Sequence, residues 1–106
     1  NYVGVMGIEF FVTKSKKILV NEMAPRVHNS GHWTQTGCII NQFEQHIRAI
    51  TGRSIGDGKR HSNVLMKNIL GNQIFDIEYD SENSINIYGK DKVKNNRKMG
   101  HLNIIK

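Results

Sequence analysis

Apolar residues between Val3 and Val12 fall on both sides of an alternating run, with Val3, Val5, Gly7, Glu9 and Phe11 on one side and Met6, Ile8, Phe10 and Val12 on the other. A period of two with apolar groups on both sides predicts a strand buried on both faces. Lys14-Ser15-Lys16-Lys17 interrupts the run and the β-branched stretch Ile18 to Met23 resumes it, so residues 3–23 are predicted to form a hairpin. Pro25 ends it, and the chain to Thr36 is an unusually polar loop of the kind that carries function. Ile39, Phe43, Ile47 and Ile50 then recur at helical spacing, which predicts a helix over about 38–51 with Gln42, Glu44, Gln45 and Arg48 facing away and Gly52 as its stop. A glycine-rich stretch follows, and beyond it Val64–Leu70, Ile85–Tyr88 and Leu102–Ile105 are strand-like, while residues 74–79 fit either a strand or a helical turn. The fold class is α+β: antiparallel strands plus a helix over 1–52, a linker over 53–61, and a small β-rich domain over 62–106.

Composition narrows the function classes. A chain of 106 residues, 38% hydrophobic and 23% charged, is the size of a single small domain, in which a site needing several walls borrows them from elsewhere. No run of about 18 apolar residues is present, which argues against a membrane-spanning helix. The first residue is Asn1 rather than Met, and the chain reads as a fragment. Cys38 stands alone, so an internal disulfide is excluded and a reduced, cytoplasmic setting is the simplest. The net charge of +6 favours phosphate-bearing ligands. Five of the fifteen basic groups lie in residues 90–98, just downstream of the acids Asp76, Glu78, Asp80 and Glu82.

Three groups of residues have chemistry to offer. Pairing the hairpin about its Lys14–Lys17 turn sets Val12 opposite Leu19, Phe11 opposite Val20 and Glu9 opposite Glu22. Two like charges across a strand pair repel unless a cation lies between them, and Mg2+ takes carboxylate oxygens together with water and nucleotide phosphates. Two unrelated solvated acids are the alternative. In the polar loop, Arg26 can hold a carboxylate or phosphate through two parallel bonds, His28 can donate to an oxyanion or shuttle a proton, and Asn29 can fix a hydroxyl or amide. A well-bonded structural loop accounts for the same residues. A zinc site at His28 and His32 lacks further ligands. Lys90, Arg97 and Lys98, with glycines nearby, can hold a phosphate, although such a charge run also serves as a solvated loop; RNA binding would need aromatic platforms beyond Tyr88.

Taken together, the run Val20-Asn21-Glu22-Met23-Ala24-Pro25-Arg26-Val27-His28-Asn29-Ser30-Gly31-His32-Trp33-Thr34, then Tyr88-Gly89-Lys90 and Gly100-His101-Leu102-Asn103, resembles the C-terminal part of the 5-(carboxyamino)imidazole ribonucleotide synthases, an ATP-grasp family of purine biosynthesis. The resemblance implies the end of an ATP-grasp domain followed by a small β-rich C-terminal domain. It also implies a ligase that uses ATP and Mg2+ to activate bicarbonate through carboxyphosphate and carboxylates 5-aminoimidazole ribonucleotide. By the same resemblance Glu9 and Glu22 are metal ligands, Asn21 and Glu22 contact the nucleotide, and Arg26 and His28 handle the reacting groups. Asn29, Lys90, Arg97 and Lys98 hold the ribonucleotide.

Against the family pattern, Glu9 and Glu22 are one residue further apart than usual, Asn95-Asn96 stands where Pro-Gly is customary, and the upstream nucleotide-binding elements are not in this sequence. The isolated chain is therefore expected to be inactive, its partners being the N-terminal domains of the same enzyme and a second copy in a homodimer. Two alternatives remain: a formate-dependent glycinamide ribonucleotide formyltransferase of the same superfamily, against which Asn29 counts because an Asp is usual there, and a basic phosphate- or RNA-binding module. Membrane association is not expected.

Overall fold

The computed structural model describes residues 1–78 and 83–106. Strands β1 (Gly7–Val12) and β2 (Ile18–Ala24) form an antiparallel hairpin, and β3 (Val64–Leu70), β4 (Ser84–Ile87) and β5 (Lys98–Ile105) form an antiparallel sheet in the order β3-β5-β4. Between them lie a 3-10 turn (Asn29–Gly31), a short helix α1 (Thr34–Gly37) and helix α2 (Gln42–Ile50). A second 3-10 turn, Gly71–Phe75, follows β3, which settles the helical option for its residues. Tyr79, Asp80 and Glu82, part of the ambiguous segment and of the acidic cluster, lie outside the described residues. The α+β class agrees with the pattern of the sequence. Among the described residues no helix is long and apolar enough to cross a membrane.

In the hairpin, Glu9 pairs with Glu22 as the turn-centred register predicts, but Phe10 pairs with Val20, Phe11 with Leu19 and Val12 with Ile18. The register slips by one residue through a bulge opposite Glu9 and Phe10, which leaves Asn21 as the extra residue. The prediction that β1 is buried on both faces is overturned: Phe10, Phe11, Val20 and Met23 are all exposed, and Val12 is 72% exposed. The loop at His28 packs on the hairpin near Gly7, and the apolar side chains from Phe10 to Val20 are left open.

Helix α2 begins later than the apolar period implies, because Asn41 caps it: its Oδ1 accepts the Phe43 and Glu44 N–H groups at 3.0 and 3.1 Å. Glu44 and Arg48 pair one turn apart, and Gly52, at φ 68°, ends the helix in the left-handed conformation expected of a glycine stop. Ile39, Ile47 and Ile50 face solvent, whereas Gln42, assigned by its period to the outside, is buried.

The three-stranded sheet packs its central strand on the polar loop. Met99, His101 and Asn103, alternate residues of β5, are 1%, 1% and 0% exposed. Asn103 Nδ2 donates to the His32 carbonyl at 3.0 Å and to Thr36 Oγ1 at 3.2 Å, and His101 Nε2 lies 2.9 Å from Gln35 Oε1. These bonds fasten residues 29–37 to the sheet. At Gly100 a side chain would drive a Cβ into the Asn86 carbonyl, so β4 can approach β5 only because glycine is there.

Candidate functional site

Strand pairing puts the Glu9 and Glu22 carboxylates side by side, and the loop returning from Pro25 delivers His28 to the same place. His28 Nε2 lies 2.9 Å from Glu22 Oε1, and its Nδ1 lies 3.6 Å from Glu9 Oε1 and 2.8 Å from Ser30 Oγ. In the neutral ring, the Nε2 proton goes to the Glu22 carboxylate and Nδ1 accepts from Ser30. Asn21, freed from the ladder by the bulge, donates from Nδ2 to Glu9 Oε2 at 3.1 Å. Glu9, Glu22 and His28 each offer a ligand atom within 4.8 Å of the others, the one such cluster among the described residues. The two carboxylates, on partly open ground, suit a hard divalent cation with room left for water or phosphate oxygens, and the His28 ring lies beside them. His32 is not part of this cluster.

Gly7 makes the approach possible, since a Cβ there would lie 2.7 Å from His28 Cβ. The His28 ring is thereby laid against the backbone of β1 between the two acids. Arg26, two residues ahead of His28 in the chain, is exposed, with its guanidinium donating to the Val27 carbonyl at 3.0 Å. Its remaining donors are free to meet an anion.

Asn29 points the other way, toward the sheet. Its Nδ2 donates to Asn68 Oδ1 at 2.8 Å, and its side chain also hydrogen-bonds the Tyr88 hydroxyl. That hydroxyl lies 2.8 Å from His101 Nδ1, which extends the chain of bonds to Gln35. Burial, reinforced by the neighbouring His32, pushes the His101 pKa down to about 4. Burial also lowers His32, with His28 and Lys98 adding in the same sense, and raises Tyr88, where the Asn29 bond opposes. Both imidazoles are therefore neutral at pH 7, and His32 stacks on Phe43 at 5.3 Å between ring centres.

Past Tyr88, a shallow hollow of about 360 Å3 is lined by Gly89, Lys90, Asp91, Lys92, Lys94 and Arg97. Lys90 Nζ donates to the Lys98 carbonyl at 2.6 Å and lies 5.5 Å from the centre of the Tyr88 ring, and Arg97 donates to the Lys92 carbonyl at 3.0 Å. Lys98 does not line the hollow. The turn ahead of Arg97 closes through its N–H to the Lys94 carbonyl at 3.0 Å, with Asn96 at φ 59°. Asparagine tolerates this left-handed conformation better than other residues with a side chain, so Asn96 does the geometric work of a glycine.

The structure thus draws Glu9, Asn21, Glu22 and His28 into one cluster and Lys90 and Arg97 onto one hollow, and includes Arg26 and Lys98 in neither. Sequence reasoning missed Ser30, Gln42 and Asn68, each of which bonds one of the candidate residues. It also missed Lys92 and Lys94 as lining residues. Nothing in the local pattern marks Asn68, which meets Asn29 only because β3 pairs with β5.

Comparison with known proteins gives these features a family. Residues 1–43 match the model of the ATP-grasp domain and residues 64–106 match that of the phosphoribosylaminoimidazole carboxylase C-terminal domain. The N5-carboxyaminoimidazole ribonucleotide synthase of Brucella melitensis is 48% identical over 109 aligned residues, which take in 100% of this chain and 30% of that protein. The crystal structure of N5-carboxyaminoimidazole synthetase from Staphylococcus aureus complexed with ADP superimposes with a TM-score of 0.88 at 37% identity, over 97% of this chain and 30% of that one. A structure of the Aspergillus clavatus synthase in complex with ADP and 5-aminoimidazole ribonucleotide gives 0.81 at 34% identity, over 97% and 30%. The chain spans about 30% of the length of the curated relatives it matches. With the hairpin aligned to the ATP-grasp model and the sheet to the C-terminal one, the chain matches the C-terminal part of the N5-carboxyaminoimidazole ribonucleotide synthases.

Proposed function

We propose that this chain supplies the C-terminal half-site of an ATP-dependent ligase that carboxylates the exocyclic amine of 5-aminoimidazole ribonucleotide with bicarbonate. The observation that carries this reading is the convergence of Glu9, Glu22 and His28 within 4.8 Å on the ATP-grasp hairpin. The Aspergillus relative, bound to ADP and 5-aminoimidazole ribonucleotide, supports the same pair of ligands.

In this reading Glu9 and Glu22 hold Mg2+, and Asn21 and Glu22 meet the nucleotide. Bound there, the ion would neutralise charge on the phosphates. A bicarbonate oxygen attacks the γ-phosphorus, the bond to ADP breaks, and carboxyphosphate forms; in this reading the free donors of Arg26 stabilise its anionic oxygens. The amine nitrogen then attacks the carboxyl carbon, the carbon–oxygen bond to phosphate breaks, and inorganic phosphate leaves. The amine loses one proton in that step, and His28 is the group that receives it. Asn29 holds the ribonucleotide, and Lys90, Arg97 and Lys98 hold its 5′-phosphate. Positioning the acceptor at a distance from the metal contributes to the rate without joining the chemistry.

The same proposal divides the chain into residues 1–52, a linker over 53–61 and a C-terminal domain over 62–106, a partition supported by the gap between the two family matches. It includes a cytoplasmic homodimer completed by N-terminal domains. The test is ADP release by the full-length protein: it depends on both bicarbonate and 5-aminoimidazole ribonucleotide, and Arg26→Ala suppresses it. Release driven instead by formate and glycinamide ribonucleotide overturns the proposal.

A further inference from the structure

Gln42, the first residue of α2, is buried and has itself no role assigned above toward substrate or metal, yet it holds His28, which has one, on both sides. Its Oε1 accepts the His28 N–H at 3.0 Å and its Nε2 donates to the His28 carbonyl at 2.8 Å. The orientation of the amide is forced, because a backbone N–H only donates and a carbonyl only accepts. The second Nε2 hydrogen goes to His32 Nδ1 at 2.8 Å, so that nitrogen presents its lone pair. All the capacity this buried amide has for donation is used within the loop.

The loop is shaped to receive it. The Gln42 backbone N–H donates to Thr34 Oγ1 at 3.1 Å, and the Thr34 hydroxyl donates to the Gly31 carbonyl at 2.6 Å. A Cβ on Gly31 would lie 2.5 Å from Gln42 Oε1, so the loop passes the amide only with glycine at that position. Held at both polar groups, His28 keeps an extended backbone at φ −127° and ψ 147°, and from there its ring reaches Glu22 at 2.9 Å.

We propose that Gln42 is the positioning residue of His28: it fixes the His28 backbone so that the imidazole stays between Glu9 and Glu22 with its Nε2 proton directed at Glu22. The inference rests on the reading of His28 as a participant in the reaction. An apolar residue at 42 would leave two backbone groups of His28 without their side-chain partner in a buried setting, and the ring would no longer be aimed by its own main chain.

The experiment compares Gln42→Met, of similar volume but without hydrogen bonds, with Gln42→Glu, which keeps the acceptor for the His28 N–H and loses the donors. Gly31→Ala, which pushes a methyl group at the amide, is a second route to the same disturbance. His28→Asn serves as the reference. Two quantities are read: steady-state constants of the full-length protein, and the imidazole nitrogen and proton NMR signals of His28 without any ligand. Gln42→Met is expected to lower kcat by about tenfold to a hundredfold, the range for a partner that orients a reacting group, with KM for ATP little changed. It also replaces the single Nε2–H signal of His28 by an averaged one. Gln42→Glu retains an intermediate rate and Gly31→Ala follows Gln42→Met. Wild-type kcat and an unaltered His28 ring signal in a folded Gln42→Met protein overturn the inference. Should His28→Asn leave kcat unchanged, the functional reading of His28 falls, and the ring signal alone then decides the role of Gln42: lost in Gln42→Met it supports positioning, retained it refutes it.

Discussion

The Tyr88 hydroxyl donates to His101 Nδ1 across 2.8 Å, and this contact ties the candidate ribonucleotide contact Asn29 to the most deeply buried imidazole of the molecule. Burial holds His101 neutral, with its Nε2 proton directed at Gln35 Oε1, so that Nδ1 is left to accept the Tyr88 hydroxyl.

A pH dependence of stability follows from that relationship. In the unfolded chain His101 takes up a proton as pH falls through about 6.5, whereas in the fold it does so only near a pKa of about 4. Between those values the unfolded state binds more protons, so stability rises with pH; the contribution is complete above the unfolded pKa and is lost as pH falls through the folded one. His32, lowered for the same reason, adds to the slope. Urea midpoints measured between pH 7 and pH 4 are expected to fall, and to fall less steeply in His101→Gln. A profile of the same slope in both proteins contradicts this.

The hairpin carries the second prediction. Phe10 pairs with Val20 and Val12 with Ile18 on the face that also bears Ile8 and Met23, and all six are exposed. An uncovered apolar strand pair is a template for self-association. The isolated chain is expected to form oligomers in sedimentation or light scattering, and Phe10→Lys combined with Val20→Lys to reduce them. A monomeric wild-type chain would refute the prediction.

The turn at Asn96 carries a third. At φ 59° a Cβ-bearing residue other than Asn or Asp costs about 1 kcal/mol, so Asn96→Ala is expected to lower stability by about that amount while Asn96→Gly maintains or raises it. Equal denaturant midpoints for the three proteins would show that the turn does not bear on the fold.

For the metal, Mn2+ added in place of Mg2+ is expected to broaden the amide signals of Glu9, Glu22 and His28 first, reversibly on chelation. Losing one carboxylate ligand, at about 1.4 kcal/mol or more, weakens binding roughly tenfold or beyond in Glu9→Gln and in Glu22→Gln. Broadening centred on other acids, or unchanged in both variants, removes the metal from this cluster.

How far the sequence could be read depends on which force acts at each position. The opposed glutamates were legible because strand pairing about a polar turn is local, although the shift between Phe10 and Val20 was not, since a bulge leaves no mark in an apolar run. The strands of the C-terminal sheet announced themselves through β-branched residues, except that β5 starts at Lys98, four residues before the apolar run at Leu102. The centre of the site did not. His101 and Asn103 lie deepest in β5 while Leu102 and Ile104 are only half-buried, the reverse of what polarity predicts, because their hydrogen bonds to Gln35, His32 and Thr36 satisfy them there. Gln42 was assigned to the wrong side of α2 for the same reason: the helix buries a polar residue against the loop and leaves Ile47 and Ile50 in solvent. Periodicity reports apolar burial, and this site is held together by buried polar groups whose partners are distant in sequence.

The most direct measurement of the central claim uses 13C-labelled bicarbonate with the full-length protein, ATP and 5-aminoimidazole ribonucleotide carrying 15N in its exocyclic amine. The predicted result is a carbamate carbon signal split by the amine nitrogen, which appears only with ATP and is suppressed in Glu22→Gln. An ATP-dependent turnover that leaves the label in bicarbonate, with no carbon–nitrogen coupling, would contradict the account.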